Sequence, residues 1–289
     1  MVLTFAASDP TGGAGIQADL LTLASLGCHP LSVVTALTVQ DTAGVDALMA
    51  VDAGWVADQA RALLEDMPVA AFKLGLLGSV ETIAAIAEIV SDYPYVPLVF
   101  DPVLASGRGD QLADEGMVDA MIDLLLPRAA IITPNSMEAR RLVLDDDNEG
   151  DESDEGGGDG TRPTLPECAR RLINAGAEHV LITGTHENTP RVVNTLYGPR
   201  GRMREDVWDR LPGSYHGSGC TLASAIAANL ANGFEIEPAV REAQAYTWRA
   251  LAAERVTVNV ALTPPALPSV TLTSDAKESE GTGTTGLIS

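Results

Sequence analysis

The stretch "YHGSGCTLASAIA", residues 215–227, joins a pair of glycines and a cysteine to the start of an apolar helix. Apolar residues recur every fourth position from Leu222 to Leu230, which is typical of one helix face. The glycines before this face let the backbone approach a ligand closely. Because the first amides of a helix lack partners within it and attract negative charge, the stretch predicts an anion-binding turn with Cys220 at its mouth.

Outward from this stretch, short apolar runs alternate with helical patterns. The predicted strands are 2–7, 31–39, 69–73, 96–100, 129–132 and 179–183, and the predicted helices are 15–26, 55–65, 80–90, 115–126 and 165–174. Apolar strands that alternate with helices indicate an α/β fold in which helices cover both faces of a mostly parallel sheet. A more polar hairpin, 191–197 and 202–209, is predicted near a sheet edge.

The composition fits an ordinary globular chain of 289 residues, 46% hydrophobic and 4% aromatic. No run approaches the roughly 18 apolar residues of a membrane span, and residues 1–10 lack the basic region of a secretory signal. The three cysteines have no metal-type spacing, as expected of reduced thiols. A net charge of −22 argues against nucleic acid and anionic lipid as partners. We therefore expect a cytoplasmic protein without a membrane partner.

The chain is predicted to form a single domain over residues 1–262. Within it, residues 145–160 hold nine acidic residues and no basic one, which predicts a disordered insertion. A metal-binding loop is the alternative for this segment, although the EF-hand spacing is absent. Residues 263–289 lose all periodicity and are predicted to form a mobile tail.

Unusual loops follow the predicted strands, and in open α/β sheets ligands bind at the carboxyl ends of strands. These loops are "SDPTGGAG", "QDTAG", "KLGLLG", "DPVLASGRGD", "TPNSMEA" and "YHGSGC". Gly13, Gly15 and Ala18 fit the G-x-G-x-x-A dinucleotide pattern, but the first loop is too long for the direct strand-to-helix turn that the pattern requires. The loop is predicted to close over a small molecule, with a plain tight turn as the alternative.

Five motifs together resemble one enzyme family. They are "SDPTGGAGIQADL", "TALTVQDTAGV", "KLGLLGS", "TPNSMEA" and "HGSGCTLASAIA", in family order between about residues 4 and 250. The chain resembles the hydroxymethylpyrimidine and phosphomethylpyrimidine kinases of thiamine biosynthesis. The resemblance implies a ribokinase-like three-layer fold, a pyrimidine substrate, ATP with Mg²⁺, and a homodimer. Two alternatives stay open: a pyridoxal or pyridoxine kinase of the same superfamily, and a non-catalytic pyrimidine-binding sensor.

The amides of Gly217, Ser218, Gly219 and Cys220 are predicted to form the anion hole for the transferring phosphoryl group. The resemblance places Cys220 nearest the acceptor hydroxymethyl group. The helix N-terminus is expected to lower the pKa of its thiol, so that a thiolate accepts the substrate proton. A cysteine that only packs is the alternative. His216, beside the anion hole, is the one histidine for which a functional test is indicated.

The metal and nucleotide side is assigned by the same resemblance. It implies that Asn135 and Glu138 organise Mg²⁺ through water, with Asp101 as a further candidate and an ordinary helix start as the alternative. Asn135 and Thr183 are also implied in nucleotide binding. Thr183 begins "TGTH", where the family commonly carries a lysine, and Arg108 is a candidate for the missing charge.

The substrate side is assigned to the early loops. The resemblance implies that Gln40 and Asp19 contact the pyrimidine, and an amide such as that of Gln40 suits an aminopyrimidine edge. Gly13 and Leu76 are placed at the same pocket, Leu76 standing where many members have methionine. Asp19 is alternatively a carboxylate on a helix surface. Lys73 is implied to neutralise phosphate, with a strand-end lysine that extends to solvent as the alternative.

Overall fold

The computed structural model describes residues 1–41, 44–106, 109–144, 162–213 and 215–253. The acidic insertion predicted at 145–160 and the tail predicted at 263–289 lie outside these ranges. Nine strands are present in the described part: β1 (Val2–Ser8), β2 (Pro30–Gln40), β3 (Val45–Ala50), β4 (Ala71–Leu74), β5 (Leu98–Phe100), β6 (Ile131–Ile132), β7 (Val180–Ile182), β8 (Arg191–Gly198) and β9 (Gly201–Asp209).

These strands form one sheet in the order β3-β2-β1-β4-β5-β6-β7-β8-β9. The six strands from β2 to β7 in this order are parallel to their neighbours, while β3, β8 and β9 run antiparallel to theirs. The parallel centre places the loops after β1, β4, β5, β6 and β7 at one edge of the sheet, as predicted. The predicted hairpin is confirmed, since β8 and β9 pair antiparallel and β9 ends the sheet.

Helices cover both faces of the sheet. They are α1 (Gly15–Ser25), α2 (Ala53–Asp66), α3 (Val80–Ser91), α4 (Glu115–Ala120), α5 (Ser136–Arg141), α6 (Leu165–Asn174), α7 (Ser218–Ala231) and α8 (Ile236–Ala253). One apolar core contains side chains of α2 to α6, and the other contains side chains of α1, α7 and α8. The central strands are therefore buried on both sides, which explains why they read as continuous apolar runs.

Side chains of β1 show how one strand serves both layers. Leu3 and Phe5 point into the core under α2 to α6, while Val2 points into the core under α1, α7 and α8. Each side chain is fully buried. The alternation follows from the period of two along a strand. The predicted three-layer arrangement is confirmed.

Three local expectations differ from the structure. Strand β3 was not predicted because its alternation is weak and most of it is exposed. The second half of β2, expected to be covered like the rest of the apolar run, is exposed at Leu37 and Val39. It pairs with β3, and from Thr38 onward it extends past Ser8, the last residue of β1. The helix predicted over 115–126 is regular only in α4; it continues as a π-helical turn (Met121–Leu125) and a 3₁₀ turn (Leu126–Arg128).

None of the helices in the described ranges combines the length and apolar character needed to cross a bilayer.

Candidate active site

Helix α7 begins with an unusual turn. Gly217 is its N-cap residue and has a left-handed backbone, φ +78°. A Cβ there would overlap the carbonyl oxygen of Gly13, so only glycine lets the loop after β1 meet this turn. Ser218, Gly219 and Cys220 follow in the first turn, where helix geometry leaves their amides without intrahelical partners. All three residues are at least partly exposed, so the turn can accept an anion.

Cys220 lies in the first turn of α7, near the carboxylates of Asp101 and Asp19. The Gly15 amide, the Lys73 ammonium and the carboxylates of Asp101 and Asp19 all lie close enough to its sulfur to affect it electrostatically. Burial raises the pKa of the thiol to about 12; nearby Lys73 opposes this rise, and the Asp101 and Asp19 carboxylates add to it. The expectation of a lowered pKa is therefore wrong. The helix N-terminus is a local influence, and desolvation of the sulfur with neighbouring negative charge outweighs it.

Asp19 and Lys73 form an ion pair with no exposed side-chain surface. Lys73 Nζ lies 2.8 Å from Asp19 Oδ1 and 2.9 Å from Oδ2. The hydroxyls of Thr4 and Ser224 each donate to Asp19 at 2.7 Å. Direct contact between Asp19 and the pyrimidine is therefore not what the structure shows, because four donor contacts occupy its oxygens and it is fully buried. A carboxylate on the helix surface is excluded for the same reason.

Lys73 ends inside the protein and does not reach solvent. Burial alone would lower the pKa of its ammonium, but Asp19, Cys220 and Asp101 together raise the pKa above its ordinary value. The lysine is therefore charged beneath the anion-binding turn. A strand-end lysine that extends to water is excluded, and direct phosphate contact is not supported because the Nζ is enclosed with Asp19. Its charge still acts on Cys220 from below.

Asp101 and Glu138 form a pair of carboxyl groups near the anion-binding turn. Burial raises the pKa of Asp101 to about 6, with Lys73 opposing the rise. Burial and the Asp101 charge raise the pKa of Glu138 to about 8. Asp101 Oδ2 is buried and has no hydrogen-bond partner among the described residues. An orphaned carboxylate oxygen beside a second acid fits a divalent cation, which would relieve their repulsion.

The two carboxyl groups suit a Mg²⁺ ion that also binds the phosphates of a nucleotide. Within the described ranges no group of three or more His, Cys, Asp or Glu side chains is arranged to hold a metal. Mg²⁺ often takes one or two protein carboxylates and completes its shell with water and phosphate oxygens. Asp101 and Glu138 therefore meet the requirement without a further protein ligand.

Asn135 is the N-cap residue of helix α5. Its Oδ1 accepts the amides of Met137 and Glu138, at 2.9 and 3.0 Å, and Glu138 Oε2 accepts the Asn135 amide at 2.9 Å. This reciprocal capping box starts α5. Asn135 thus orients Glu138, and its Oδ1 is already occupied. These contacts agree with the helix-start alternative, and the implied contribution of Asn135 to organising Mg²⁺ stays a prediction.

Thr183 lies beside Asn135 at the carboxyl end of β7. Its amide donates to the Pro134 carbonyl at 3.0 Å, and its carbonyl accepts the Ser136 amide at 3.1 Å. Thr183 therefore anchors the chain at the start of α5. Arg108, the candidate replacement for the family lysine, lies outside the described residues. The loop after β7 is held by another arginine, Arg210, whose guanidinium donates to the carbonyls of Thr185, Glu187 and Thr189.

The substrate side of the site contains Gln40 and a small apolar cluster. Leu76 is buried in this cluster with Ala7 and Ala36, at the carboxyl ends of β1, β2 and β4. Gln40 ends β2 and reaches His216, which precedes the anion-binding turn. Both residues lie toward the carboxyl ends of the strands, and their sharing one substrate pocket stays a prediction. Gly13 is buried and contributes space beneath His216, since a Cβ would stand 2.9 Å from His216 Cδ2.

The sequence reasoning missed three polar residues of the site. Asp9 holds His216, and Thr4 and Ser224 hold Asp19. Thr4 and Ser224 are polar residues inside an otherwise apolar strand and helix, which was an available signal. Asp9 directly follows the first strand in "SDPTGG", a position typical of Asx turns.

Solved structures define the class of fold. The phosphomethylpyrimidine kinase of Clostridium difficile 630 superposes with a TM-score of 0.71 at 33% identity, over 86% of this chain and 98% of that one. The pyridoxal kinase of Staphylococcus aureus in complex with ADP superposes with a TM-score of 0.75 at 30% identity, over 90% of each chain. The sheet and its two helical layers are therefore those of the ribokinase-like kinases.

Sequence comparison narrows the class. The phosphomethylpyrimidine kinase profile matches residues 9–265, and the chain belongs to that family. The hydroxymethylpyrimidine/phosphomethylpyrimidine kinase of Rhizobium meliloti is 37% identical over 253 residues, covering 88% of this chain and 91% of that protein. The thiamine biosynthesis bifunctional protein ThiED of Geobacter sulfurreducens is 40% identical over 250 residues. The chain spans about half the length of ThiED, since the match covers 86% of this chain and 49% of that relative.

Magnesium is expected to stabilise the protein more at about pH 8.5 than at about pH 5.5. Glu138 and Asp101 have raised pKa values of about 8 and about 6, and a carboxyl group must lose its proton before it binds metal. A carboxyl group whose pKa is raised in the folded protein adds to the free energy of unfolding while it is protonated. This contribution is complete below the ordinary carboxyl pKa and is lost as the pH rises through the raised values of about 6 and about 8. Without cation, the free energy of unfolding should therefore fall over that interval, and Mg²⁺ should restore it.

Denaturant unfolding with and without Mg²⁺ at both pH values measures this effect. Glu138→Gln should flatten the pH dependence and weaken the Mg²⁺ response. Glu178→Gln is the matched control, because Glu178 is exposed before β7 and away from the pair. An equal Mg²⁺ effect at both pH values would contradict the assignment of the carboxyl pair.

Proposed function

We propose that the chain transfers the γ-phosphoryl group of ATP to the hydroxymethyl group of 4-amino-5-hydroxymethyl-2-methylpyrimidine, or to the phosphate of its monophosphate, in thiamine biosynthesis. The observation that carries the proposal is one edge of the sheet, where the anion-binding turn lies beside Asp101 and His216 links that turn to Gln40. Membership of the phosphomethylpyrimidine kinase family and relatives named for this reaction support it.

The residues divide the work between the two substrates. The amides of Ser218, Gly219 and Cys220 hold the oxygens of the transferring phosphoryl group as charge spreads over them. Asp101 and Glu138 would hold Mg²⁺, which supplies charge neutralisation at the nucleotide phosphates. Gln40 and the apolar cluster of Leu76 hold the pyrimidine ring so that its hydroxyl faces the turn.

Cys220 orients the acceptor hydroxyl as a neutral thiol. With its pKa raised to about 12, the resting thiol keeps its proton at neutral pH. Phosphoryl transfer passes through a loose transition state in most analyses, so the acceptor needs alignment more than early deprotonation. The Lys73 ammonium beneath the sulfur offsets part of the negative charge that Asp19 and Asp101 bring to the site.

A pyridoxal or pyridoxine kinase is the second candidate. It is favoured by the similarity to the pyridoxal kinase of Staphylococcus aureus, whose TM-score of 0.75 is slightly above the 0.71 of the phosphomethylpyrimidine kinase. A pyrimidine-binding sensor is the third, because Thr183 supplies no charge where the family commonly has a lysine.

Phosphorylation assays with ATP and Mg²⁺ separate the three. The acceptors are hydroxymethylpyrimidine, its monophosphate and pyridoxal, each measured beside equilibrium binding. The proposal expects turnover of at least one pyrimidine with a kcat/KM above that for pyridoxal. Preferential pyridoxal turnover would establish the second candidate, and pyrimidine binding without turnover would establish the sensor.

We also propose a cytoplasmic homodimer whose interface includes the β2–β3 extension. Leu37, Val39 and Met49 are 45%, 63% and 61% exposed, and Leu37 pairs directly with Met49 across the two strands. A patch of neighbouring apolar side chains of this kind is typical of interaction surfaces. The acidic surface argues against an anionic lipid or nucleic acid as its partner.

The double substitution Val39→Lys and Met49→Lys is expected to convert a dimer to a monomer at micromolar concentration, because it places two charges in the apolar contact. Sedimentation equilibrium measures the mass. Tyr95→Lys is the control, since Tyr95 is 97% exposed but lies outside the patch. A wild-type monomer, or a double variant that stays dimeric, would contradict this interface.

A further inference from the structure

His216 lies between two polar side chains that its ring can bridge. Its Nε2 is 2.9 Å from Asp9 Oδ2 and 3.1 Å from the end of the Gln40 amide. Asp9 comes from the loop after β1, Gln40 from the end of β2, and His216 from the segment before α7. One imidazole nitrogen therefore connects the substrate loops to the anion-binding turn.

Asp9 must act as an acceptor in this contact. Its Oδ1 accepts the Thr11 amide at 2.8 Å, and its Oδ2 accepts the Thr11 hydroxyl at 2.9 Å and the Ala14 amide at 2.7 Å. Burial would raise the pKa of Asp9, but hydrogen bonds from His216, Thr11 and Ala14 outweigh it and the pKa is lowered. An ionised carboxylate can only accept, so the His216 Nε2 facing it carries a hydrogen.

The proton on Nε2 decides which way the Gln40 amide faces. A protonated ring nitrogen has no lone pair in the ring plane, so it cannot also accept a bond from the Gln40 NH₂ group. The amide oxygen and nitrogen have nearly the same shape, and their order follows from the hydrogen bonds they make. The arrangement that satisfies these hydrogen bonds places Gln40 Oε1 next to His216, where Gln40 Oε1 and Asp9 Oδ2 both accept the Nε2–H. The Gln40 NH₂ group then faces the pocket.

The ring cannot readily leave this position. A Cβ on Gly13 would stand 2.9 Å from His216 Cδ2, so the imidazole packs directly on the glycine backbone. The next residue, Gly217, packs on the Gly13 carbonyl. His216 is thus held from below by Gly13 and at its Nε2 by Asp9.

We propose that His216, fixed by Asp9, is a positioning residue that turns the Gln40 amide so that its NH₂ group faces the acceptor substrate. The site then selects a heteroaromatic ring with a hydrogen-bond acceptor, a ring nitrogen, at the position opposite Gln40. This selection rests on the proposed function, because it concerns the ring that the same pocket binds. A ring carrying C–H at that position would leave the inward N–H groups unpaired.

The tautomer tests the geometry without any assay of activity. Long-range ¹H–¹⁵N correlation spectra of the protein labelled at its four histidines should show His216 with its hydrogen on Nε2. His216→Phe assigns the signal by its disappearance. A neutral His216 with its hydrogen on Nδ1 alone would overturn the proposal.

Substrate analogues test the selection. The two pyridine analogues of hydroxymethylpyrimidine that replace one ring nitrogen by C–H are compared with the parent. In the wild type, one analogue should show a KM raised about tenfold or more, because an N–H group in the pocket is left unpaired. We call the ratio of the KM values of the two analogues the gap. In His216→Phe this gap should shrink to within about threefold, because the variant frees the Gln40 amide to rotate, while KM for ATP stays within about twofold of wild type.

Conservative replacement and a distant histidine provide the controls. His216→Gln places an N–H donor near the lost Nε2–H and should restore most of the gap, whereas His29→Phe should leave it unchanged because His29 is exposed before β2. Thermal melts confirm that each variant is folded. A gap that persists in His216→Phe would overturn the inference alone. Wild-type protein that turns over pyridoxal but no pyrimidine would instead defeat the proposed function.

Discussion

Replacing Gly217 with alanine is expected to lower kcat/KM by at least about 100-fold, since misplacing catalytic groups by about 1 Å can have that effect. The added Cβ would overlap the Gly13 carbonyl oxygen and stand 3.0 Å from the Ala14 Cα. Both neighbours are backbone atoms that cannot rotate away. The turn that carries the Ser218 and Gly219 amides must therefore move, and the anion hole moves with it.

A second glycine separates this overlap from simple backbone strain. Gly233 follows α7 with φ +85°, and a Cβ there would meet nothing within 4 Å. Gly233→Ala shares the left-handed strain of about 1–2 kcal/mol but leaves the turn in place, so its kcat/KM should remain within about twofold of wild type. Steady-state kinetics and thermal melts of both variants provide the comparison. Near-normal kinetics in Gly217→Ala would show that the turn need not meet the first loop.

Replacing Lys73 with methionine is expected to lower the free energy of unfolding by about 3–5 kcal/mol, the usual effect of removing one partner of a buried ion pair. The substitution leaves the Asp19 carboxylate without its cation while both side-chain positions are fully enclosed. Methionine is close to lysine in length, so the loss reports the charge more than the volume. Urea unfolding at neutral pH measures it.

Two further variants test whether the charge is responsible. Asp19→Asn combined with Lys73→Met removes both charges, keeps a polar partner for the Thr4 and Ser224 hydroxyls, and should recover about half of the loss. Arg61→Met breaks a pair that is 49% and 72% exposed and should change the free energy of unfolding by less than about 1 kcal/mol. A double variant less stable than Lys73→Met would show that the packing of these side chains, not their charge, is the larger contribution.

The layers of the fold could be predicted because their signals are local. Each central strand is a continuous apolar run, and each major helix has its own apolar stripe, so neither assignment needs a distant residue. Strand β3 lacked such a signal, since most of its side chains are exposed and the core imposes no alternation on them. The β3 edge of the sheet was therefore less predictable than its centre.

The meeting of the loops could also be predicted, because parallel strands bring their carboxyl ends together. The environment of each side chain in the site could not. The pKa of Cys220 depends on its burial and then on the charges of Lys73, Asp101 and Asp19, which come from three other segments of the chain. The burial of Asp19 depends on β1 lying beside β4 and on α1 packing against α7. The sequence near Asp19 predicts neither contact.

The enclosed Asp19 has a consequence for how the sequence can change over time. Thr4, Asp19, Lys73 and Ser224 lie on β1, α1, β4 and α7, yet their polar atoms meet at one carboxylate. Losing any one of them leaves the others with an unmatched charge or hydroxyl in a fully buried region. A lineage that exchanges this polar group for an apolar one must pass through less stable intermediates. The four positions, spread over more than two hundred residues of chain, are therefore expected to change together.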